Sequence, residues 1–579
     1  MSDFSPQQLF EADFFFQLKD NPEYASQAGQ HDFDHRLQEL SPESFELRQE
    51  HNESVLKTAR ALLLTADNSK DALHLELLIK NIEDEQRGFA LNCHLYPVNS
   101  IGYGGVHNNF MEALDWLGDE NKGRNFLSRM AAFPHQCQQY KELLRLGSQR
   151  GCVASACMVR LVPGQLQELL DALDSNTGPV CAMIESPALT DQQRSEAGPI
   201  KERFRGAVAD LLRFFQDYYL SRARPGSGCG GVLAGTDTGV ELYAQCLKFH
   251  TTTSLTAAEI HAIGLQEVSR IARRYQVDVL DALGFQSSFA AFVQQCQDPG
   301  SGQYYQRSGD MMEGYRILND KIASLLPTYF ERLPASPLQM EELHSPSAPA
   351  AFYMQGTVDL TRPGKFYVNV SNLEKRPIYN MTALALHEGM PGHHLQGSLA
   401  IENPDLPPFL RFIEDRRYEY CPARRNIYAA YLEGWALYCE ALGEEMPGIY
   451  ATPMSLFGRL SMEMMRAVRL VVDTGIHAEG WSVERAVEYM MEQTGMQRHE
   501  CEAECNRYEA WPGQACAYKI GEVAIWRMRR KAEERLGDGF DLRRFHTCLL
   551  EHGPLPLDTL GALVDAWLES EAAAAGTSR

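Results

Sequence analysis

A proline and a glycine interrupt a stretch that otherwise reads as continuous helix. The apolar run Met381-Thr-Ala-Leu-Ala-Leu386 consists largely of helix formers, and it leads directly into His387-Glu388-Gly389-Met390-Pro391-Gly392-His393-His394-Leu395-Gln396. His387 and Glu388 therefore belong on a buried helix. Pro391 has no N–H to offer the carbonyl of His387, and its ring collides with that carbonyl. Gly392 then admits dihedrals closed to other residues. The segment must bulge or kink, and helix distortions of this kind are frequent at functional sites.

The residues around the break carry metal chemistry. A plain zinc-hydrolase helix reads H-E-x-x-H, which sets two histidines one turn apart on one face. Here the next histidines come six and seven positions after His387. In a regular helix of ~100° per residue, His393 would point ~120° away from His387. His394 would share its face but lie ~10.5 Å along the axis. Neither suits bonds of ~2.0–2.1 Å to one zinc ion. A bulge at Pro391-Gly392 absorbs the two extra residues and returns His393 to the face of His387. From spacing alone, His393 and His394 both stay open as the second ligand.

A hydrolytic zinc site wants three protein ligands and an open position. The best third ligand is Glu433, within the apolar and aromatic run Tyr431-Leu-Glu-Gly-Trp-Ala-Leu-Tyr-Cys-Glu440. A glutamate in such company is costly unless paired or metal-bound. Gly434 beside it allows close approach of another helix. Glu440, seven residues on, shares its face and is placed to orient a histidine. Glu388 adjoins the first ligand but points to the open side, the position of a general base. A third cluster, Arg507 to Gly521, has a sharp Pro512-Gly513 turn. Within it Tyr518 is a candidate hydroxyl donor to a developing oxyanion. Arg507 and Lys519 are candidates to hold a substrate carboxylate.

The rest of the chain is predominantly helical in pattern. Helical periodicity covers most of residues 6–86, resumes from Phe110 to Leu146, and continues in Val162–Asp174, Gln192–Ser221, 256–284 and 309–333. Thr256 followed by Glu259 has capping-box spacing. Gly226-x-Gly228-x-x-Gly231 fits a dinucleotide fingerprint by letter, but a helical run precedes it rather than a strand, so it reads as a loop. The clear β region is Ala351–Gln355 and Lys365–Ser371, separated by the turn signal Thr-Arg-Pro-Gly364. An exposed edge strand at Lys365–Ser371 would pair with an extended peptide. Tyr367 and Asn369 on this strand, and His394 beyond it, are further candidate substrate-binding residues.

The expected fold is mainly α: a large helical body with a small β-hairpin beside the active-site helix. An N-terminal helical region (1–250) and a C-terminal catalytic region (251–579) are expected to form one continuous body. The 579 residues carry 54 basic and 77 acidic side chains, a net charge of −23. That balance argues against nucleic acid and anionic membrane as partners, because both want a basic patch. The N-terminus shows neither a basic region nor a sustained apolar run, and no stretch approaches the ~18 apolar residues of a membrane span. A cytoplasmic location is expected, with the 14 cysteines as reduced thiols, Cys501 and Cys505 included. The pattern leaves the oligomeric state undefined.

The segments His-Glu-x-x-Pro-Gly-His-His-x-Gln (387–396), Glu-Gly-Trp-Ala-x-Tyr (433–438) and Arg-Tyr…Pro-Gly-Gln-Ala…Tyr-Lys-Ile-Gly (507–521) resemble the family called domain of unknown function 885. Tyr96-Pro-Val-Asn and Thr256-Ala-Ala-Glu-Ile-His are weaker echoes upstream. The resemblance implies a helical fold related to the gluzincin metallopeptidases, which hold zinc by two histidines and a glutamate and use a glutamate base. Carried onto this chain, it implies His387, His393 and Glu433 as ligands and Glu388 as base. Tyr518 falls, by a looser match, where related helical peptidases keep a transition-state tyrosine. The function expected is a zinc-dependent hydrolase, a metallopeptidase of short peptides. The alternatives are a zinc hydrolase of a non-peptide amide or ester, and an inactive peptide-binding protein of the same fold.

Overall fold

Helices begin where the sequence supplies a cap. Thr256 accepts from the Glu259 N–H while the Glu259 carboxylate accepts from the Thr256 N–H, and the same reciprocal bonding opens helices Pro6–Asp20, Asp191–Phe214 and Pro453–His477. The computed structural model describes residues 4–577 except 67, 101–109, 111–113, 115, 226–236, 346–347 and 414–424. The glycines of the Gly226–Gly231 loop, and most of the stretch from Ile101 to Asp115, lie outside the described residues. The chain is mainly α, with one small sheet. No described helix is long and apolar enough to cross a membrane. The described cysteines are free, and Cys501 and Cys505 are buried among apolar side chains.

The sheet has three strands, β1 (Gln339–Leu343), β2 (Ala351–Met354) and β3 (Lys365–Asn369), in the order β1-β3-β2. β2 and β3 form the expected antiparallel hairpin, with Tyr353 opposite Phe366. β1 is an addition to the sequence reading and runs parallel to β3. It makes β3 the central strand, paired on both sides, so Lys365–Ser371 is not the edge expected from sequence. The strand bordering the cleft described below is β2. Phe366 and Val368 bury one face of β3, with Tyr315 edge-on to Phe366 at 5.4 Å.

Among the described residues, two large apolar cores and a smaller third hold the helices. One joins N-terminal helices around Phe110, Phe133 and Phe204, whose rings pack at 4.5–5.0 Å. The other joins the sheet to the C-terminal helices around Trp435, Tyr438 and Phe330. In that second core the helix Ala429–Leu442 lies against Gln514–Leu536; Pro453–His477 packs on Ala257–Arg274 in the third core and also meets Gln514–Leu536. The first of these contacts is made through glycine. A Cβ on Gly434 would sit 2.4 Å from the Gly521 Cα. Gly434 therefore does admit a second helix, as its place in the sequence predicts, and Gly521 is the facing residue.

Candidate metal centre

The helix that carries His387 ends at Glu388, and a new one begins at His393. The sequence predicts a bulge within one helix; the structure has a full break. Its turn is held from two sides. Gly392 packs so closely on the preceding helix that a Cβ would stand 2.0 Å from the carbonyl oxygen of His387. The indole of Trp435 donates to the Pro391 carbonyl at 2.9 Å. The Glu-Gly-Trp segment thus fixes the His-Glu break as well as supplying Glu433.

The break brings His393 back beside His387, with ring centroids 4.8 Å apart and planes perpendicular. The Glu433 Oε2 lies 3.2 Å from His387 Nε2 and 3.4 Å from His393 Nε2. One ligand atom from each of these three residues falls within a 4.8 Å set. Glu440 Oε1 bonds His387 Nδ1 at 2.7 Å, which leaves Nε2 to face Glu433. Burial alone would lower the His387 pKa, but hydrogen bonds to Glu433 and Glu440 outweigh it and raise it to about 9. Burial would raise that of Glu433, yet its bonds to His387 and His393 hold it well below the usual carboxylate range. Two imidazole nitrogens and one carboxylate oxygen, converging and mostly buried, could hold a metal ion.

The three residues line a cleft of about 1350 Å³, together with β2, Glu388, Tyr367, Tyr518 and Arg507 among others. Glu388 stands outside the ligand set and accepts the Tyr353 N–H of β2 at 2.9 Å. Tyr367 stacks on Phe352 at 4.9 Å. Tyr518 lies beneath the guanidinium of Arg469, 4.6 Å from its ring centre.

Three sequence candidates go elsewhere. His394 is fully buried, with Nε2 on the Ser336 carbonyl and Nδ1 near the Tyr353 hydroxyl. Its neighbour His393 is the one beside Glu433, because the new helix turns successive side chains ~100° apart. The Lys519 ammonium is enclosed by Glu463, Glu522 and Glu267 and does not line the cleft. Asn369 donates to the carbonyls of Ser345, Ala348 and Pro349 and is buried, so it shapes a loop rather than meeting substrate.

The start of the Tyr518 helix is anchored by a residue that sequence reasoning missed. Asp473 accepts from the Gly513 N–H at 3.1 Å and from the Tyr243 hydroxyl at 2.6 Å. Burial pushes its pKa up from 3.8 to about 7 despite these bonds. The fold therefore favours the neutral acid, whereas the unfolded chain ionises near 3.8. Stability is lost as pH rises from about 4 to about 7 and the loss is constant above that. Asp473→Asn keeps an acceptor for both donors and cannot ionise. Denaturant titrations should show the variant more stable than wild type at pH 8, by on the order of 4 kcal/mol, with most of that difference gone near pH 4. A wild-type difference that persists unchanged at pH 4 would contradict this.

The model of bacterial proteins of unknown function called DUF885 matches residues 22–564. The chain belongs to this family. No curated protein matches it. Among solved structures it is similar to "the putative lipoprotein from Colwellia psychrerythraea", at 24% identity and TM-score 0.85 over 98% of this chain and 100% of that one. A "putative lipoprotein of unknown function" from Shewanella oneidensis matches at 19% identity and TM-score 0.69, covering 97% of this DUF885 chain and 99% of the other. These two share the fold. Pz peptidase A with an inhibitor aligns at 11% identity and TM-score 0.31 over 89% and 93% of the two chains, a likeness too distant to support any conclusion.

Proposed function

We propose that this DUF885 protein is a zinc-dependent metallopeptidase of short peptides. The observation that carries the reading is the convergence of His387, His393 and Glu433 on the wall of a cleft, with Glu388 beside them and outside their set. Zinc on these donors would supply Lewis-acid polarisation of the scissile carbonyl and acidify a water at the open position. Glu388 takes a proton from the attacking water and delivers it to the leaving nitrogen. The peptide C–N bond breaks, the water's hydroxyl joins the carbonyl carbon, and its proton ends on the amine. Tyr518 faces the same cleft and donates to the developing oxyanion.

A peptide is favoured over a smaller amide or ester by the size and border of the cleft. Its volume, about 1350 Å³, exceeds the ~300–1000 Å³ typical of small-molecule pockets. Every residue of β2 lines it, so a strand backbone is at hand for an extended chain. A cytoplasmic location is part of this proposal; the lipoprotein names belong to the two structural relatives.

Elemental analysis of the purified protein tests the metal directly. About one zinc per chain is expected, and His387→Ala should lose it. A wild-type chain that holds no zinc, and takes up none when it is added, overturns the reading.

A further inference from the structure

Two arginines flank Tyr518 and a third shares a carboxylate with one of them, in a chain whose net charge is −23. Arg466 and Arg469 come from the helix Pro453–His477 and Arg507 from Arg498–Ala510. Their guanidinium carbons lie 5.9 Å (Arg466) and 4.6 Å (Arg469) from the Tyr518 ring centre, and Arg507 stands 5.6 Å from that of Trp511. All of these residues line the cleft. Arg466 and Arg469 are only 4% and 5% exposed.

Cations buried to this extent are costly unless compensated, and the compensation here is partial. Glu504 serves both Arg469, at 3.0 Å, and Arg507, at 3.5 Å. Arg466 lies 3.5 Å from Glu440, whose carboxylate is already engaged at 2.7 Å by His387. The Arg466 Nε is buried with no acceptor among the described residues. Glu500 and Glu502, on the same helix as Glu504, are turned to the Gln497 N–H and to Arg498. Arg469 and Arg507 thus share Glu504, Arg466 shares Glu440 with His387, and the three cations face two carboxylates, which leaves room for an anion.

We infer that Arg466, Arg469 and Arg507 bind the C-terminal carboxylate of the peptide, which makes this protein an exopeptidase that removes residues from the C-terminal end. Position supports the assignment. Arg466 touches Glu440, and Glu440 touches His387, so a single side chain separates the cluster from the metal donors. A carboxylate held here stands close to the bond being cut. Every unmodified peptide offers one such group at its C-terminus, and guanidinium–carboxylate pairing is strong and directional. An acidic side chain near the scissile bond offers the same chemistry and is separated by experiment. The bond cleavage rests on the peptidase reading above; the carboxylate site does not.

The test compares one peptide free of Asp and Glu in two forms, C-terminal acid and C-terminal amide. A third form is the amide with a glutamate in the last position. Binding is measured by calorimetry on the zinc-loaded Glu388→Gln protein, and cleavage by mass spectrometry on the wild type. The acid should bind at least about tenfold more tightly than either amide, and wild type should release residues from its C-terminus. In Arg469→Gln and Arg507→Gln the preference should shrink to about twofold or less. If those variants fail to fold, the acid–amide comparison on the otherwise unaltered cluster still decides. Equal binding of acid and plain amide overturns the inference, and so does glutamate-amide binding as tight as the acid. Acid-selective binding with no cleavage of any peptide keeps the carboxylate site and retires the peptidase reading. Cleavage with no acid preference does the reverse.

Discussion

Glu388→Gln is expected to lower kcat for peptide hydrolysis by about 10²- to 10⁴-fold while leaving zinc content at the wild-type level. The expectation follows from where the carboxylate stands. His387 and Glu388 are adjacent on one helix, yet only His387 belongs to the convergent set with His393 and Glu433. Glu388 instead lines the cleft and accepts the Tyr353 N–H at 2.9 Å. Glutamine has nearly the same volume and keeps a carbonyl oxygen for that N–H, so packing and the seat of β2 should survive. It cannot carry a proton from water to the leaving nitrogen. Cleavage of a short peptide followed by chromatography, with elemental analysis of the same sample, checks both halves. Retained activity would remove Glu388 from the role of base. Loss of zinc in step with activity would make it a ligand instead.

The helical body, the β2–β3 hairpin and the interrupted His-Glu segment were legible because each is written in adjacent residues. Thr256 and Glu259 announce a helix start three positions apart, and the reciprocal bonds are present. β1 escaped because Gln339-Met-Glu-Glu-Leu343 is largely solvated and lacks β-rich composition; its partner β3 supplies the order. What fixes the break at Pro391 is the indole of Trp435, a bond between residues 44 apart that no local pattern reveals. Reading both Tyr518 and Lys519 into the site ignored helix geometry. Successive residues point ~100° apart, and Tyr518 took the cleft while Lys519 took the carboxylates behind it. Arg466 and Arg469 did leave a signal. Two arginines three apart in the apolar run Met464-Met-Arg-Ala-Val-Arg-Leu-Val-Val472 are out of place in a core helix unless something answers their charge. The same logic that singled out Glu433 applied to them.

Gly521→Ala should damage the site from outside it. The Glu433 helix and the Tyr518 helix touch backbone to backbone, and a Cβ on Gly521 would fall 1.9 Å from the Ala430 carbonyl oxygen and 2.7 Å from the Gly434 Cα. Both obstacles are main-chain atoms, so no side chain can swing aside. The helices must separate by more than about 1 Å to restore ordinary contact, and overpacking of this kind costs about 1–3 kcal/mol or more. Glu433 adjoins Gly434, and Tyr518 stands three residues before Gly521, so the shift moves a candidate metal donor and a cleft tyrosine away from each other. A displacement near 1 Å at a reacting centre can cost about 10²-fold in rate. Thermal unfolding of Gly521→Ala should therefore begin at lower temperature than in wild type. At temperatures where the variant is still folded, its kcat/KM should already be down by about 10²-fold and its zinc affinity weakened. Gly561→Ala is the matched control: it lies in the helix Leu557–Thr577, and its nearest contact would be the Met528 Cε at 3.7 Å. There alanine should be neutral or stabilise by up to about 1 kcal/mol, with activity unchanged. If Gly521→Ala folds, binds zinc and turns over like wild type, the glycine contact does not set the spacing between Glu433 and Tyr518, and the site is held by Trp435 and Asp473 without it.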